Sequence, residues 1–273
     1  MKFDWYEATV AAHPDEVVGE ILRSAGQGMG VVVPRRGTTY GYERAYDVML
    51  GSRVLAAVFY GGGAQGEGVH VSATGSEALW WSKLCRAKWE HQVTRVDAAE
   101  DYSTEGSFDV LTGLAGAVAK ERGLRTFNVG DWLQGIGGRT LYVGSIKSAA
   151  RVRVYEKGKE YASRGVAGVS PHWARIEGTF RPRRRPGRIA LAAAQPMECF
   201  GLAAWTRDLA ERLNGFALEK IEDVRWEASE DDRAYAWCIR QYGQVLVRRM
   251  LALGSWEAVG AQIGDDITKG GGK

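Results

Sequence analysis

The stretch Arg151-Val152-Arg153-Val154-Tyr155-Glu156-Lys157 alternates charged or polar side chains with valine, the period of two that marks a half-buried β-strand. Arg151, Arg153, Tyr155 and Lys157 share one face, and Val152 and Val154 the other. Outward from this stretch the pattern recurs. Thr94 to Asp101 sets Arg95, Asp97 and Asp101 against Val96 and Ala98, and Thr140 to Gly144 sets Tyr142 against Leu141 and Val143. Trp173 to Arg181 sets Arg175, Glu177, Thr179 and Arg181 against Ala174, Ile176 and Phe180. Each strand has an apolar side suited to a helical layer and a polar side rich in functional groups. If the four lie in one sheet, two carboxylates, a phenol and several guanidinium groups converge on one surface. A single one-sided strand would be ordinary solvation; four with charges this mixed exceed it.

The remaining pattern gives strands over 3–10, 31–34, 38–48, 54–60 and 68–73, and helices over about 14–27, 76–88 (capped by Ser76) and 107–123. In the second helix, Leu79, Trp80, Lys83 and Leu84 fall at helical spacing, which places Trp80 in the core. Residues 188–214 read as mostly helical with a break at Pro196. Residues 230–253 read as a long helix with Ala234, Trp237, Cys238, Tyr242, Leu246 and Met250 on one side. Strands mixed with helices, without a repeating strand-helix-strand period, predict an α+β fold: a mainly antiparallel β-sheet with helices on one face, plus a helical C-terminal region. The expected organisation is a catalytic domain over 1–213, a helical region over 214–265 and a disordered tail over 266–273.

The chain has 273 residues, 45% hydrophobic and 25% charged, as in ordinary soluble proteins. No stretch approaches the roughly 20 apolar residues of a membrane span, and the N-terminus lacks the apolar run of a secretory signal. Cys85, Cys199 and Cys238 are widely spaced with no CxxC pairing, which suits small buried side chains in a reduced compartment. The expected location is the cytoplasm. Net charge is only +3, but between Arg139 and Arg188 thirteen basic residues face three acidic ones, a local excess of +10. Such segregation fits a polyanion-binding surface.

The converging groups are those that phosphodiester transesterification needs. Asp97 and Glu177 would hold a hard divalent cation, magnesium or manganese, through carboxylate oxygens. Arg151 would neutralise charge on the phosphoryl oxygens. A phenol with a pKa of about 10 needs a nearby cation or base to attack at neutral pH. Arg153, Lys157, Arg175, Arg181, Arg183, Arg184 and Arg185 would bind the DNA backbone. From the residues alone Tyr142 reads more readily as a packed sheet tyrosine than as a nucleophile; Tyr155 is its rival as nucleophile and Asp101 rivals Asp97 as ligand. His13, His70, His91 and His172 are isolated from one another, so no histidine–hydrophobe–histidine metal motif exists.

The run from Gly138 to Ser148 (GRTLYVGSIKS), followed by Arg151 to Lys157, resembles the signature of the replication initiation factor (Rep_trans) family, the initiators of rolling-circle plasmids and filamentous phages. Thr94–Asp97 and Trp173–Glu177 resemble its flanking acidic motifs, Asp4-Trp5 its opening, and Trp237 to Gly243 a phage-type C-terminal element. The resemblance implies nicking of single-stranded or cruciform origin DNA, with tyrosine joined to the 5′ phosphate and a 3′ hydroxyl left as primer. Carried over by motif position, the nucleophile is Tyr142, the metal carboxylates are Asp97 and Glu177, and the assisting arginine is Arg151. One departure is that Ser148 precedes Ala149 and Ala150, where the family often has an acidic residue. Gly135 to Gly138 lacks the Gly-Lys-Ser/Thr end of a P-loop, so unwinding would fall to a host helicase, with a host polymerase extending the primer and a homodimer as the possible assembly. The alternatives are a relaxase of a mobile element, with the same chemistry at a transfer origin, and a DNA-binding protein without nicking activity.

Overall fold

The computed structural model describes residues 1–26, 30–35, 37–38, 40–63, 68–215, 218 and 230–270. Among them ten strands form one antiparallel sheet, β1 (Lys2–Val10), β2 (Gly30–Pro34), β3 (Arg44–Leu50), β4 (Arg53–Tyr60), β5 (Val69–Thr74), β6 (His91–Tyr102), β7 (Thr126–Gly130), β8 (Arg139–Val143), β9 (Ala150–Tyr155) and β10 (Ala174–Phe180). Their spatial order is β2-β3-β4-β5-β1-β6-β10-β9-β8-β7. The four patterned strands are therefore consecutive neighbours, β6-β10-β9-β8, and the α+β expectation holds.

The valine and alanine faces of these strands enter one core. Phe3, Val96, Ala98, Val143, Val152, Val154, Ile176 and Phe180 are essentially excluded from water. Over that face pack α1 (Pro14–Ser24), α2 (Ser76–Lys88), α3 (Ser107–Glu121), α5 (Arg185–Ala193) and a 3-10 turn at Glu198–Leu202. Between β9 and β10 lies the short helix α4 (Lys157–Ser163), and α6 (Ala204–Asn214) packs on α3. The expected 188–214 helix is thus three pieces: Pro196, lacking the N–H that continuity requires, separates α5 from the 3-10 turn, and Ala203, in extended conformation, separates that turn from α6. The chain divides into two compact units, 1–224 and 225–273. The second consists of α7 (Glu230–Leu253) and α8 (Trp256–Gly270).

Several local expectations are corrected. The strand expected over 38–48 begins only at Arg44; Tyr40 sits in a turn with φ 59°. Gly75, not Ser76, is the residue before α2, and its φ of 61° suits glycine. Within α2 the core residue is Trp81, fully buried with Ala78, Ser82 and Cys85, whereas Leu79 and Lys83 are exposed and Trp80 is half-buried. Three aromatic or apolar residues in succession leave the helix phase ambiguous by one position. Lys157 does not extend the strand. It opens α4, where Gly158 runs so close to the Ser170 carbonyl that a Cβ would lie 2.0 Å from it. Strand β7 carried no signal because it is an edge strand with every residue exposed. Cys85 and Cys199 are buried as expected, but Cys238 is exposed. Helix α8 runs from Trp256 to Gly270, and residues 271–273 lie outside the described residues. No described helix is long and apolar enough to cross a membrane.

Candidate active site

Antiparallel pairing sets opposite residues on the same face, so the register orders the polar side chains into rows. In one row Trp5 lies opposite Asp97, Asp97 opposite Thr179, and Thr179 opposite Arg151. In the next, Ala99 lies opposite Glu177, Glu177 opposite Arg153, and Arg153 opposite Tyr142. A third row joins Asp101, Arg175, Tyr155 and Thr140. At about 4.8 Å per strand, Tyr142 stands roughly 10 Å of backbone from Glu177, a gap their side chains span only in part. The space between is a cavity of about 390 Å³, lined by Asp97, Glu177, Tyr142, Arg151, Arg153 and Arg181 among others.

The carboxylates form the floor. Asp97 is 3% exposed and takes a bidentate grip from Arg95, with Nε–Oδ1 2.9 Å and Nη2–Oδ2 2.5 Å. Glu177 is 2% exposed and accepts from Arg153 Nη2 at 2.8 Å and from the Tyr155 hydroxyl at 3.4 Å. Burial, reinforced by the negative charges of Asp97 and Asp4, lifts the Glu177 carboxyl above its ordinary range despite Arg153. Among the described residues no three His, Cys, Asp or Glu side chains are gathered for a metal ion. Two carboxylates with other positions left to water and phosphate oxygens is nonetheless the usual magnesium arrangement, so the donor chemistry fits a hard divalent cation.

Tyr142 and Arg151 form the rim. The Arg151 guanidinium lies over the Tyr142 ring at 4.0 Å from its centroid. Arg151 makes no ion pair among the described residues, and its Nε is buried without a hydrogen-bond partner. Strand β8 ends at Val143, and the next residue, Gly144, with a φ of 89°, turns the chain after it. The Ser148 hydroxyl then closes the hairpin by donating to the Ala150 carbonyl at 2.5 Å. Alanine at 149 and 150 fits a turn held by that serine.

The rival residues stand elsewhere. Tyr155 is 5% exposed, and burial, followed by the Glu177 charge, pushes its phenol well above the ordinary range. Asp101 is absent from the cavity lining. Although burial opposes it, hydrogen bonds from Arg175, Trp173 and Lys2 hold its carboxyl down at about 2. His172 is exposed and outside the cavity.

Two residues expected on the DNA path are committed to the fold. Arg175 is 4% exposed, binding Asp101 at 2.7 and 2.8 Å and Asp4 at 2.9 Å. Lys157 is 8% exposed, paired with Glu160 at 3.0 Å and lying against the Tyr155 and Tyr161 rings. Arg183, Arg184 and Arg185 are exposed, Arg181 is half-buried, and Arg153 serves Glu177. Sequence reasoning missed Trp5, which Arg95 covers at 3.9 Å, and Asp4, which a β-bulge between Phe3 and Trp5 brings to the cavity. The signal for Trp5 was the alternation Trp5-Glu7-Thr9 against Tyr6-Ala8-Val10; the bulge had none.

Residues 91–186 match the model of the replication initiation factor family, Rep_trans. No curated protein matches the chain. Among solved structures, the rolling-circle replication initiator protein of Geobacillus stearothermophilus superposes with a TM-score of 0.51 at 21% identity, covering 81% of this chain and 98% of that one. At that identity the likeness speaks for the fold. The matched segment 91–186 contains Asp97, Tyr142, Arg151 and Glu177. Over residues 91–186 the chain is thus similar to the replication initiation factor (Rep_trans) family, and its fold is that of a rolling-circle replication initiator.

Proposed function

We propose that this protein starts rolling-circle replication by nicking single-stranded origin DNA with Tyr142. The observation that carries the reading is the stacked Tyr142–Arg151 pair at the rim of a cavity floored by Asp97 and Glu177. A guanidinium with no ion pair among the described residues, lying over the phenol ring, offers its outer edge to a phosphodiester beside the nucleophile. The Tyr142 oxygen attacks phosphorus, the bond from phosphorus to the 3′ oxygen breaks, and a 5′-phosphotyrosine diester forms. The phenol proton leaves to solvent, and the departing 3′ oxygen takes up a proton to become the primer hydroxyl. The reverse attack by a 3′ hydroxyl rejoins the strand and frees the tyrosine. Asp97 and Glu177 would hold magnesium or manganese, which when bound supplies Lewis-acid polarisation of a non-bridging oxygen. Arg181, Arg183, Arg184 and Arg185 guide the strand; extension and unwinding belong to a partner polymerase and helicase.

The desolvation of Tyr155 supports Tyr142 as nucleophile, and the engagement of Asp101 by Arg175 supports Asp97 as ligand. A second reading, DNA binding without nicking, draws on the arginines that occupy both carboxylates. The test incubates the protein with single-stranded origin DNA and Mg²⁺ or Mn²⁺ and resolves covalent protein–DNA species by denaturing electrophoresis. Expected is an adduct that Tyr142→Phe abolishes with binding retained. An undiminished adduct in that variant moves the nucleophile elsewhere, and the absence of adduct with either metal supports the binding-only reading.

A further inference from the structure

Along the same open sheet face, past Arg95, lies a second cavity of about 380 Å³ lined by Glu7, Thr9, Tyr40, Tyr42, His70, Gln92, Arg181 and Arg188 among others. Arg95 and Arg181 line both cavities. The register sets the distance: Trp5 lies opposite Asp97, Glu7 opposite Arg95, and Thr9 opposite both His70 and Gln92. From the Asp97 row to the His70 row is four residues of β1, about 13 Å.

The wall of this cavity is aromatic. The His70 ring stacks with Tyr42 at 5.7 Å and 20°, and Tyr40 meets it edge-on at 5.4 Å. Tyr42 is buried, whereas Tyr40 is 60% exposed, in a turn whose φ of 59° is uncommon for a residue with a side chain. His70 is 4% exposed, and burial lowers its pKa to about 4, so the ring is neutral at pH 7. Its Nδ1 is within 3.4 Å of the Thr9 hydroxyl, but its Nε2 has no hydrogen-bond partner, the nearest carboxylate oxygen, of Glu7, being 3.9 Å away. A buried ring nitrogen facing a cavity without a partner is costly unless a ligand satisfies it. The Gln92 amide adds a donor and an acceptor on the same wall. Arg181 sits between the two cavities without an ion pair or side-chain hydrogen bond among the described residues.

We infer that this second cavity is a nucleobase subsite, taking one unpaired base of the strand whose phosphodiester enters the first cavity. The exposed Tyr40 ring gives a π-face to stack on, His70 Nε2 and Gln92 meet the base edge, and Arg181 takes the phosphate linking base to scissile bond. Stacking tolerates any base and the edge contacts discriminate among them, so this cavity would set part of the sequence preference near the nick. The inference rests on single-stranded DNA being the substrate, and the test separates the two.

The probes are 15-nucleotide dA, dC and dT strands, with binding measured by fluorescence anisotropy across a salt series, for wild type and for Tyr40→Phe, Tyr40→Ala and Arg181→Gln. Tyr40 and Arg181 lie outside the core, so the variants fold; far-ultraviolet circular dichroism checks this. Expected is a loss on the order of 5–100-fold for at least one strand in Tyr40→Ala, with Tyr40→Phe near wild type. Arg181→Gln should make the slope of log K against log salt shallower by about 0.7, one phosphate contact. Wild-type binding with Tyr40→Ala unchanged on all three strands overturns the subsite and leaves the nicking proposal standing. A wild type that binds no strand even at low salt overturns the nicking proposal itself.

Discussion

At the scale of single residues, the polar face divides into side chains held by partners and side chains held open. Arg95, Arg153 and Arg175 each grip a carboxylate, whereas Arg151 and Arg181 have none among the described residues. Their roles should separate by substitution. Arg175→Met should lower unfolding free energy by about 3 kcal/mol, the low end for a broken buried pair because Asp101 keeps some access to water; urea denaturation measures it. Arg151→Lys should leave stability within about 0.5 kcal/mol of wild type. It should also slow covalent adduct formation on the order of 10-fold or more, since a lysine cannot reproduce the planar stack and fork. Equal stability losses in the two variants would contradict the division. Which arginines are committed was not legible from the chain: Arg151 and Arg175 occupy equivalent alternating positions, and only strand order reveals that Arg175 meets Asp101.

At the scale of elements, α2 provides a sharp test of the corrected phase. Trp81→Ala should cost about 3–5 kcal/mol as a large core truncation, while Leu79→Ala on the exposed face should stay within about 0.5 kcal/mol. Comparable losses in both would restore the expected phase. The site strands were legible because valine and alanine alternate with charge through residues facing a helical layer. Legibility failed where that rule is broken. Strand β7 is exposed on every residue, so no burial pattern is written into it. Lys157 keeps the alternation going by one residue, but the close pass of Gly158 against the Ser170 carbonyl turns the chain into α4 instead. The bulges in the β1–β6 pairing, beside Asp4 and Thr94, shift side chains in a way that period-two reading cannot detect.

At the scale of the whole molecule, pH and salt act on different parts. His70 is neutral in the fold, with a pKa of about 4 against 6.5 when unfolded, because burial and the nearby Arg188 charge disfavour the imidazolium. A depressed folded pKa means its contribution is complete above pH 6.5 and is lost as pH falls towards 4, a change of about 3 kcal/mol. His91, also lowered by burial, acts in the same direction. Urea unfolding at pH 7 and pH 4 should therefore show a marked acid loss that His70→Phe reduces; an identical pH dependence in the variant would contradict the burial argument. Salt should instead weaken DNA binding with little effect on stability, since Arg183, Arg184 and Arg185 are exposed, where screening is strongest. The antiparallel α+β architecture followed from the strand patterns alone. The cavity between those strands did not, because it depends on which ones are neighbours.

The central claim is that Tyr142 becomes joined to DNA. Protein reacted with single-stranded origin DNA and Mn²⁺, digested with nuclease and protease, is analysed by mass spectrometry for the tyrosine that carries a nucleotide 5′-phosphate. The account predicts that nucleotide on the peptide containing Tyr142; a nucleotide on the peptide containing Tyr155, with Tyr142 unmodified, would contradict it.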